Sequence, residues 1–266
     1  MIRKISWMLL ALLVLAGCRA GSQLLSSGTL NKIIEEVIIE AVDEKVNNKL
    51  LPQETVWKKD GAQMVRIPDM YLKRDDEITP LGEKYKSGDA FLMDVHEVTR
   101  GQFRKFLLET GYDFNGRLWA KIDQISPTDE HPMTYVTFED TEAYCKWAGK
   151  RLPTEEEWEW AARGGLVGKE YMWGDDEGQA RDYANYFGAG GKDRWSESTA
   201  PVGSFKPNGY GVFDMGGNVF EWCRGGILRG GSWNSRTSLL RVAYRYHGGS
   251  EDGDYYHGFR CVSGLP

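Results

Sequence analysis

Pro207-Asn208-Gly209-Tyr210-Gly211-Val212-Phe213-Asp214-Met215-Gly216-Gly217-Asn218-Val219-Phe220-Glu221-Trp222 is the stretch on which the fold turns. Glycine and turn residues break any helical period until Val219–Trp222, a short strand candidate. The same texture continues to the C-terminus. Ile227–Leu228 and Phe259–Val262 are the other strand candidates, and after Gly165 no long helical period runs. Composition agrees. The chain has 266 residues, and its 32 Gly make about 12% against a usual ~7%. Ten Trp and 13 Tyr accompany them. Abundant glycine with aromatics suits tight turns around aromatic anchors, not a helical bundle. A formal charge of −6 lacks the basic footprint of a nucleic-acid binder, so no nucleic-acid partner is expected. Four cysteines in a chain this long exclude a disulfide-stapled miniprotein.

Outward toward the N-terminus the signals become regular. Thr154-Glu155-Glu156-Glu157 has capping-box form, with Trp158, Ala161 and Ala162 at helical spacing and Gly164-Gly165 as a stop. Thr137 caps an earlier helix that turns Ala143, Tyr144, Trp147 and Ala148 inward and ends at Gly149. Thr99-Arg100-Gly101-Gln102 is a further capping box, followed by Phe103, Phe106 and Leu107 on one face. Residues 62–67 and 90–95 read as strands. The main domain is therefore expected over 56–266.

Residues 1–17 read as an export signal. Arg3 and Lys4 precede an unbroken apolar run from Trp7 to Ala16, which at about ten residues is too short for the ~20 of a membrane-spanning helix. Leu15-Ala16-Gly17-Cys18 resembles a bacterial lipobox, which implies cleavage before Cys18, its lipidation, and anchoring in the outer membrane of an exported protein. Residues 18–55 form a tether. Its apolar positions from Leu30 to Val46 follow a helical stripe capped by Thr29 and ended by Pro52. A helix packed on the domain and a stalk that lifts it from the membrane both fit. Export leaves Cys145, Cys223 and Cys261 outside the reducing cytoplasm. At most one pair forms, and Cys223 with Cys261 is the pairing guessed.

The landmarks occur in a fixed order. Val98-Thr99-Arg100-Gly101-Gln102-Phe103, His131-Pro132-Met133 and Trp147-Ala148-Gly149-Lys150-Arg151-Leu152-Pro153-Thr154-Glu155-Glu156-Glu157-Trp158 lead into the stretch quoted above. Arg229-Gly230-Gly231-Ser232-Trp233 and Gly258-Phe259-Arg260-Cys261 follow it. Together they resemble the formylglycine-generating enzyme (sulfatase-modifying factor) family over about residues 60–262. The resemblance implies an α+β fold, the C-type lectin-like fold of formylglycine-generating-enzyme subtype, with low regular secondary structure. Enzymes of that family oxidise a substrate cysteine with two cysteines just after the Gly-Gly-Ser motif. In this sequence those positions hold Ser235 and Leu240. Neither is a thiol, so the resemblance implies the scaffold without its chemistry.

Residues 234–257 supply a different reading. Apart from Glu251, each is encodable by changing the adenines of an AAC or AAT codon. The layout resembles the variable proteins of diversity-generating retroelements, of treponemal type. That resemblance implies a ligand-binding surface made by Ser235, Arg236, Thr237, Ser238, Leu239, Leu240, Tyr246, His247, Gly248, Ser250, Asp252, Gly253, Asp254, Tyr255, Tyr256 and His257. Tyrosines give rigid amphipathic area at low entropy cost, and Ser, Gly and Asp give adaptable hydrogen bonds, as in antibody paratopes. Tyr244, beside the family landmark Arg245, is expected to be partly structural. The expected partner is a protein or cell-surface ligand. Rival readings are a divergent oxidase or its inactive accessory protein, and a lipoprotein that binds through a fixed surface.

The family resemblance also implies structural calcium. Its first set is Asn185, the carbonyl of Tyr186, Asp193 and the carbonyl of Trp195. The second is Asn218, Glu221 and the backbone between them. The alternative is that Asn218 and Glu221 satisfy buried polar groups of the loop.

Overall fold

Three helices begin where a threonine can close a capping box. Thr99 accepts from the Gln102 N–H and precedes α1 (Arg100–Thr110). Thr137 accepts from the Asp140 N–H and precedes α3 (Phe138–Ala148). Thr154 accepts from the Glu157 N–H and precedes α4 (Glu155–Arg163). Each ends on a left-handed glycine, Gly111, Gly149 or Gly164, a conformation that costs glycine no Cβ clash. Between α1 and α3 lies α2 (Trp119–Ile125), which the sequence pattern does not announce. A one-turn helix, α5 (Ala180–Tyr183), follows α4.

The structure, a computed structural model, describes residues 54–68, 89–166, 168–188, 194–195, 197–248 and 253–265. Cys18, the apolar leader and the stripe from Leu30 to Leu51 lie outside the described residues. Among those described, no helix is long and apolar enough to cross a membrane. The chain divides at Leu51/Pro52, and the second unit is Pro52–Pro266. That unit carries two four-stranded sheets. The first has the order β1 (Glu54–Val56), β2 (Gln63–Ile67), β3 (Phe91–Asp94), β8 (Val262–Gly264), all antiparallel. Glu54 and Thr55 thus belong to the sheet rather than to the tether assigned through residue 55. The second has the order β6 (Tyr246–His247), β5 (Ile227–Arg229), β4 (Phe220–Cys223), β7 (His257–Gly258). Here β7 runs parallel to β4 and the other pairs are antiparallel. The single strand expected over Phe259–Val262 is instead divided. Phe259, Arg260 and Cys261 form the link between β7 and β8, so one short run of chain stitches the sheets together.

Two hydrophobic clusters fill the unit. One gathers Val65, Met93, Trp158, Trp173, Met215, Leu240 and Val262. The other gathers Phe103, Phe106, Tyr144, Trp222, Phe259 and Cys261. Each large side chain buried there contributes roughly 1.5–3 kcal/mol. Several buried charges are paired. Lys150 Nζ lies 2.8 Å from Asp60 Oδ2 and 2.7 Å from Asp94 Oδ1, tying the α3 terminus to the first sheet. Arg229 Nη2 donates to Glu159 Oε2 at 2.7 Å and to the Val242 carbonyl at 2.6 Å, which holds β5 and the chain after it against α4.

Candidate recognition surface

Residues 234–257 leave the second sheet and return to it. The segment starts after β5, passes through a 3-10 turn at Thr237–Leu239, and comes back as the edge strand β6. It ends at His257, the first residue of β7, the opposite edge strand. The segment therefore reaches both edges of one sheet, with β4 and β5, which lie outside it, between them.

Tyrosines coat the face of this sheet. The ring of Phe220, on β4 and 5% exposed, lies 5.6 Å from Tyr246, 6.0 Å from Tyr256 and 6.5 Å from Tyr244. Tyr255 meets Tyr256 edge-on at 4.7 Å and Trp233 at 5.7 Å, and its hydroxyl accepts from Asn234 Nδ2 at 3.0 Å. Such edge-to-face contacts fix ring orientation as well as position. The half-buried Tyr244 packs against the cluster beneath, the partly structural part expected of it. Burial, with Asp254 beside it, pushes the Tyr256 phenol up, so it stays a neutral donor and acceptor. The backbone of Asp254 accepts from the Tyr135 N–H at 3.0 Å. Tyr135 stands at φ 59°, a conformation uncommon for a residue with a Cβ.

The segment divides by exposure. Arg236, Ser238, Tyr246 and His247 are exposed, and Leu239, Asp254, Tyr255 and Tyr256 are half-buried. Ser250 and Asp252 lie outside the described residues. Four expected contact residues need correction. Leu240 is 1% exposed in the first core cluster, because the chain crosses the core between Gly231 and Val242. Ser235 is buried, its hydroxyl accepting from the Ser232 N–H at 2.9 Å, and Thr237 is buried at the start of the 3-10 turn. His257 is 3% exposed between Trp222 and Tyr256, at ring distances of 5.2 and 4.7 Å. Neither of its ring nitrogens has a hydrogen-bond partner, and burial pushes its pKa down to about 4, against a pull upward from Asp254. Gly248 and Gly253 face the scaffold. A Cβ on them would lie 2.2 Å from Trp222 and 2.4 Å from the Tyr135 carbonyl carbon.

The positions of the family's reactive cysteine pair are thus an interior hydroxyl and an interior isobutyl group. All three described thiols are buried. Burial pushes Cys223 and Cys261 well above the ordinary thiol range, the opposite of what a thiolate nucleophile needs. Cys261 does not face Cys223. Its sulfur lies 2.8 Å from that of Cys145 on α3, because the link between the sheets runs under that helix.

The second calcium set does not fit a cation. Both Glu221 oxygens are taken, Oε2 by Trp158 Nε1 and Arg260 Nε and Oε1 by Arg260 Nη2, at 2.7, 2.8 and 2.7 Å. Asn218 Oδ1 accepts from the Ala200 N–H at 2.8 Å. Arg260 already supplies the positive charge there, and the loop-satisfying alternative describes both residues. In the first set, Asn185 Oδ1 is a buried acceptor without a hydrogen-bond partner, as a ligand position would be. The Tyr186 carbonyl, however, accepts from Arg181 Nη1 at 2.7 Å, the Trp195 carbonyl accepts from the Ser198 N–H, and Asp193 lies outside the described residues.

Sequence reasoning missed Phe187, Phe220, Trp233 and Tyr135 as parts of this surface. Phe220 and Trp233 stood inside family landmarks and were read as frame. Nothing in the local pattern brings Tyr135 or Phe187 to residues 234–257. Their contacts are long-range.

Comparison with known proteins agrees with this frame. Residues 46–265 match the family model described as the sulfatase-modifying factor enzyme 1-like domain. The chain is 36% identical to the formylglycine-generating enzyme of Streptomyces coelicolor over 171 residues, covering 52% of this chain and 54% of that protein. It is 39% identical to the inactive C-alpha-formylglycine-generating enzyme 2 of Bos taurus over 153 residues, covering 51% of each. The chain therefore spans about half the length of the curated relatives it matches. Among solved structures, the Treponema denticola variable protein 1 superposes with a TM-score of 0.60 over 80% of this chain and 99% of that one, at 20% identity. That likeness is one of fold, and with the family match over most of its length the chain belongs to the formylglycine-generating enzyme, or sulfatase-modifying factor, family.

Proposed function

We propose that the protein is an exported lipoprotein, anchored through Cys18, that binds a protein or cell-surface ligand through residues 234–257 and performs no catalysis. One observation carries the reading. Where the family's oxidases hold their reactive cysteines, this chain has Ser235 and Leu240, both interior, while the same segment turns Arg236, Ser238, Tyr246 and His247 outward. A scaffold that keeps rigid flanks and presents tyrosine, histidine and arginine between them suits recognition better than redox chemistry. The name of the Treponema denticola variable protein, a fold neighbour, is consistent with a diversified segment at this place.

The test has two arms. Sibling sequences will differ at the outward positions of 234–257 and agree in the flanking Gly-Gly-Ser-Trp and Gly-Phe-Arg-Cys. Incubation of the full chain with a cysteine-containing peptide, copper and oxygen will yield no aldehyde. Differences spread evenly over the domain, or aldehyde formed in proportion to the chain, would overturn the reading. The anchor is tested by feeding cells an alkyne-bearing fatty acid. Label retained by a Cys18→Ser variant would place the lipid elsewhere or remove it from the account.

A further inference from the structure

We propose that Phe187, which lies outside residues 234–257, is a fixed apolar anchor of the recognition surface. The groove it shares with Arg236 takes a peptide segment of a protein partner, one whose apolar side chain stands beside a carboxylate. This rests on the binding function proposed above and names the kind of partner.

Phe187 is 59% exposed, uncommon for so large an apolar ring, yet its backbone and that of Tyr186 and Gly188 are hydrogen-bonded in place. Its N–H donates to the Ser235 carbonyl at 2.8 Å, fastening it to the first turn of the variable segment. The carbonyls of Tyr186 and Gly188 on either side accept from the Arg181 guanidinium at 2.7 and 3.0 Å. That guanidinium sits 4.1 Å over the ring of Tyr186, which is 3% exposed. Gly188 completes the clamp, since a Cβ there would lie 2.2 Å from the Tyr186 ring. The exposure of Phe187 is therefore built in, and an anchor held rigid before binding loses little entropy on docking.

The groove measures about 360 Å³ and is lined by Glu177, Phe187, Gly188, Arg236, Thr237 and Ser238. Among the described residues no carboxylate pairs with Arg236, whereas Arg229, Arg245 and Arg260 each have one. A guanidinium without a carboxylate partner among the described residues presents a planar fork that a carboxylate matches. Glu177, in the same groove, repels a second carboxylate, so the occupant carries one acidic group, at the Arg236 end. A ring beside a guanidinium suits an apolar side chain next to an acid rather than the hydroxyl array of a sugar. Because residue 236 belongs to the variable segment and Phe187 does not, rewriting 236 resets the charge that the groove selects while the apolar contact stays.

The full chain is used to select binders from a random dodecapeptide library displayed on phage. Enriched peptides will carry Asp or Glu next to an apolar residue. Their affinity will fall about tenfold or more with Phe187→Ser and with Arg236→Ala, a hot-spot-sized loss, and will not fall with Glu177→Gln. Because Phe187 is exposed, the Phe187→Ser melting curve serves as the folding control and will overlay the parent's. Peptides that ignore Phe187→Ser but are lost with Tyr246→Ser and Tyr255→Ser would overturn the groove and leave the recognition function standing. Failure to enrich any peptide would overturn the peptide as occupant. A parent chain that elutes as a dimer and becomes a monomer on Phe187→Ser would assign Phe187 to self-association and overturn the proposal.

Discussion

Arg260 and Glu221 face each other in the interior through a two-pronged ion pair, Nε to Oε2 at 2.8 Å and Nη2 to Oε1 at 2.7 Å, with both side chains buried. The same guanidinium donates to the Phe213 carbonyl at 2.8 Å, so it binds the loop before β4, β4 itself and the link between the sheets. Replacing Glu221 by Gln strands a buried charge, and a loss of about 3–5 kcal/mol of stability is expected. Urea unfolding of the two proteins measures it. A loss below about 1 kcal/mol would show that the pair is solvated in practice.

Metal dependence follows from the same geometry. With both Glu221 oxygens taken by Arg260 and Trp158, the second set offers calcium no open carboxylate, while Asn185 Oδ1 of the first set is an open acceptor. We expect excess calcium to leave the melting temperature of an Asn185→Ala variant unchanged, since the second set has no open carboxylate. A rise in that variant would mean that Arg260 yields Glu221 to the ion.

Cys145 and Cys261 are the pair placed to oxidise, and Cys223 stands apart. If the chain is exported, an oxidising compartment joins the first two by loss of two electrons and two protons to the compartment's oxidant. Non-reducing peptide mapping will then find Cys145 linked to Cys261, and Cys223 will resist alkylation until the protein is unfolded. Reduction is expected to cost about 2–4 kcal/mol. A Cys223–Cys261 link would contradict the fold.

His257 makes stability depend on pH in a definite direction. Its folded pKa of about 4 lies below the unfolded value of about 6.5, so the unfolded chain takes up the proton first. Its stabilising contribution is complete above about pH 6.5 and is lost as pH falls toward 4, by up to about 3 kcal/mol. Asp94 and Asp214, which burial pushes up to about 6, act oppositely. Their contribution is present below about pH 4 and is lost as pH rises through 6. The informative quantity is therefore the difference between the parent and His257→Gln. From pH 7 to pH 4 it should shift toward the variant. A difference that does not change with pH would place His257 in contact with water.

Residues 234–257 should separate into two energetic classes. Leu240→Ala opens a cavity in the first cluster, and a loss of about 2–5 kcal/mol is expected. Arg236→Ala, Ser238→Ala and His247→Ala alter exposed side chains and should stay within about 0.5 kcal/mol. Thermal unfolding distinguishes them. Equal effects at Leu240 and Ser238 would mean that residues 234–257 do not pack as described.

Much of the frame was legible without coordinates. The three Thr-initiated helices and their glycine stops are local events, decided within a turn of chain by side-chain caps, and they fall where the pattern put them. Strands β2 to β5 were legible for the same reason: apolar runs between turn residues. Short α2 escaped notice because its only fully buried side chain is Ile122, too little to set a helical stripe.

The ordering of landmarks around Asn218 and Gly230 determined the family and placed residues 234–257 between two landmark flanks. Sequence could not sort that segment into inside and outside. Encodability from AAC or AAT treats Leu240, His257 and Tyr246 alike, but burial is decided by distant partners: Trp173 and Met215 in one cluster with Leu240, Trp222 beside His257, open water above Tyr246. Nor could it choose Cys145 over Cys223 for Cys261, or bring Phe187 to Ser235. Caps and turns depend on neighbours a few residues away and can be read along a line. Exposure, thiol proximity and the shape of a groove depend on which strands share a sheet, and the folded chain alone decides that.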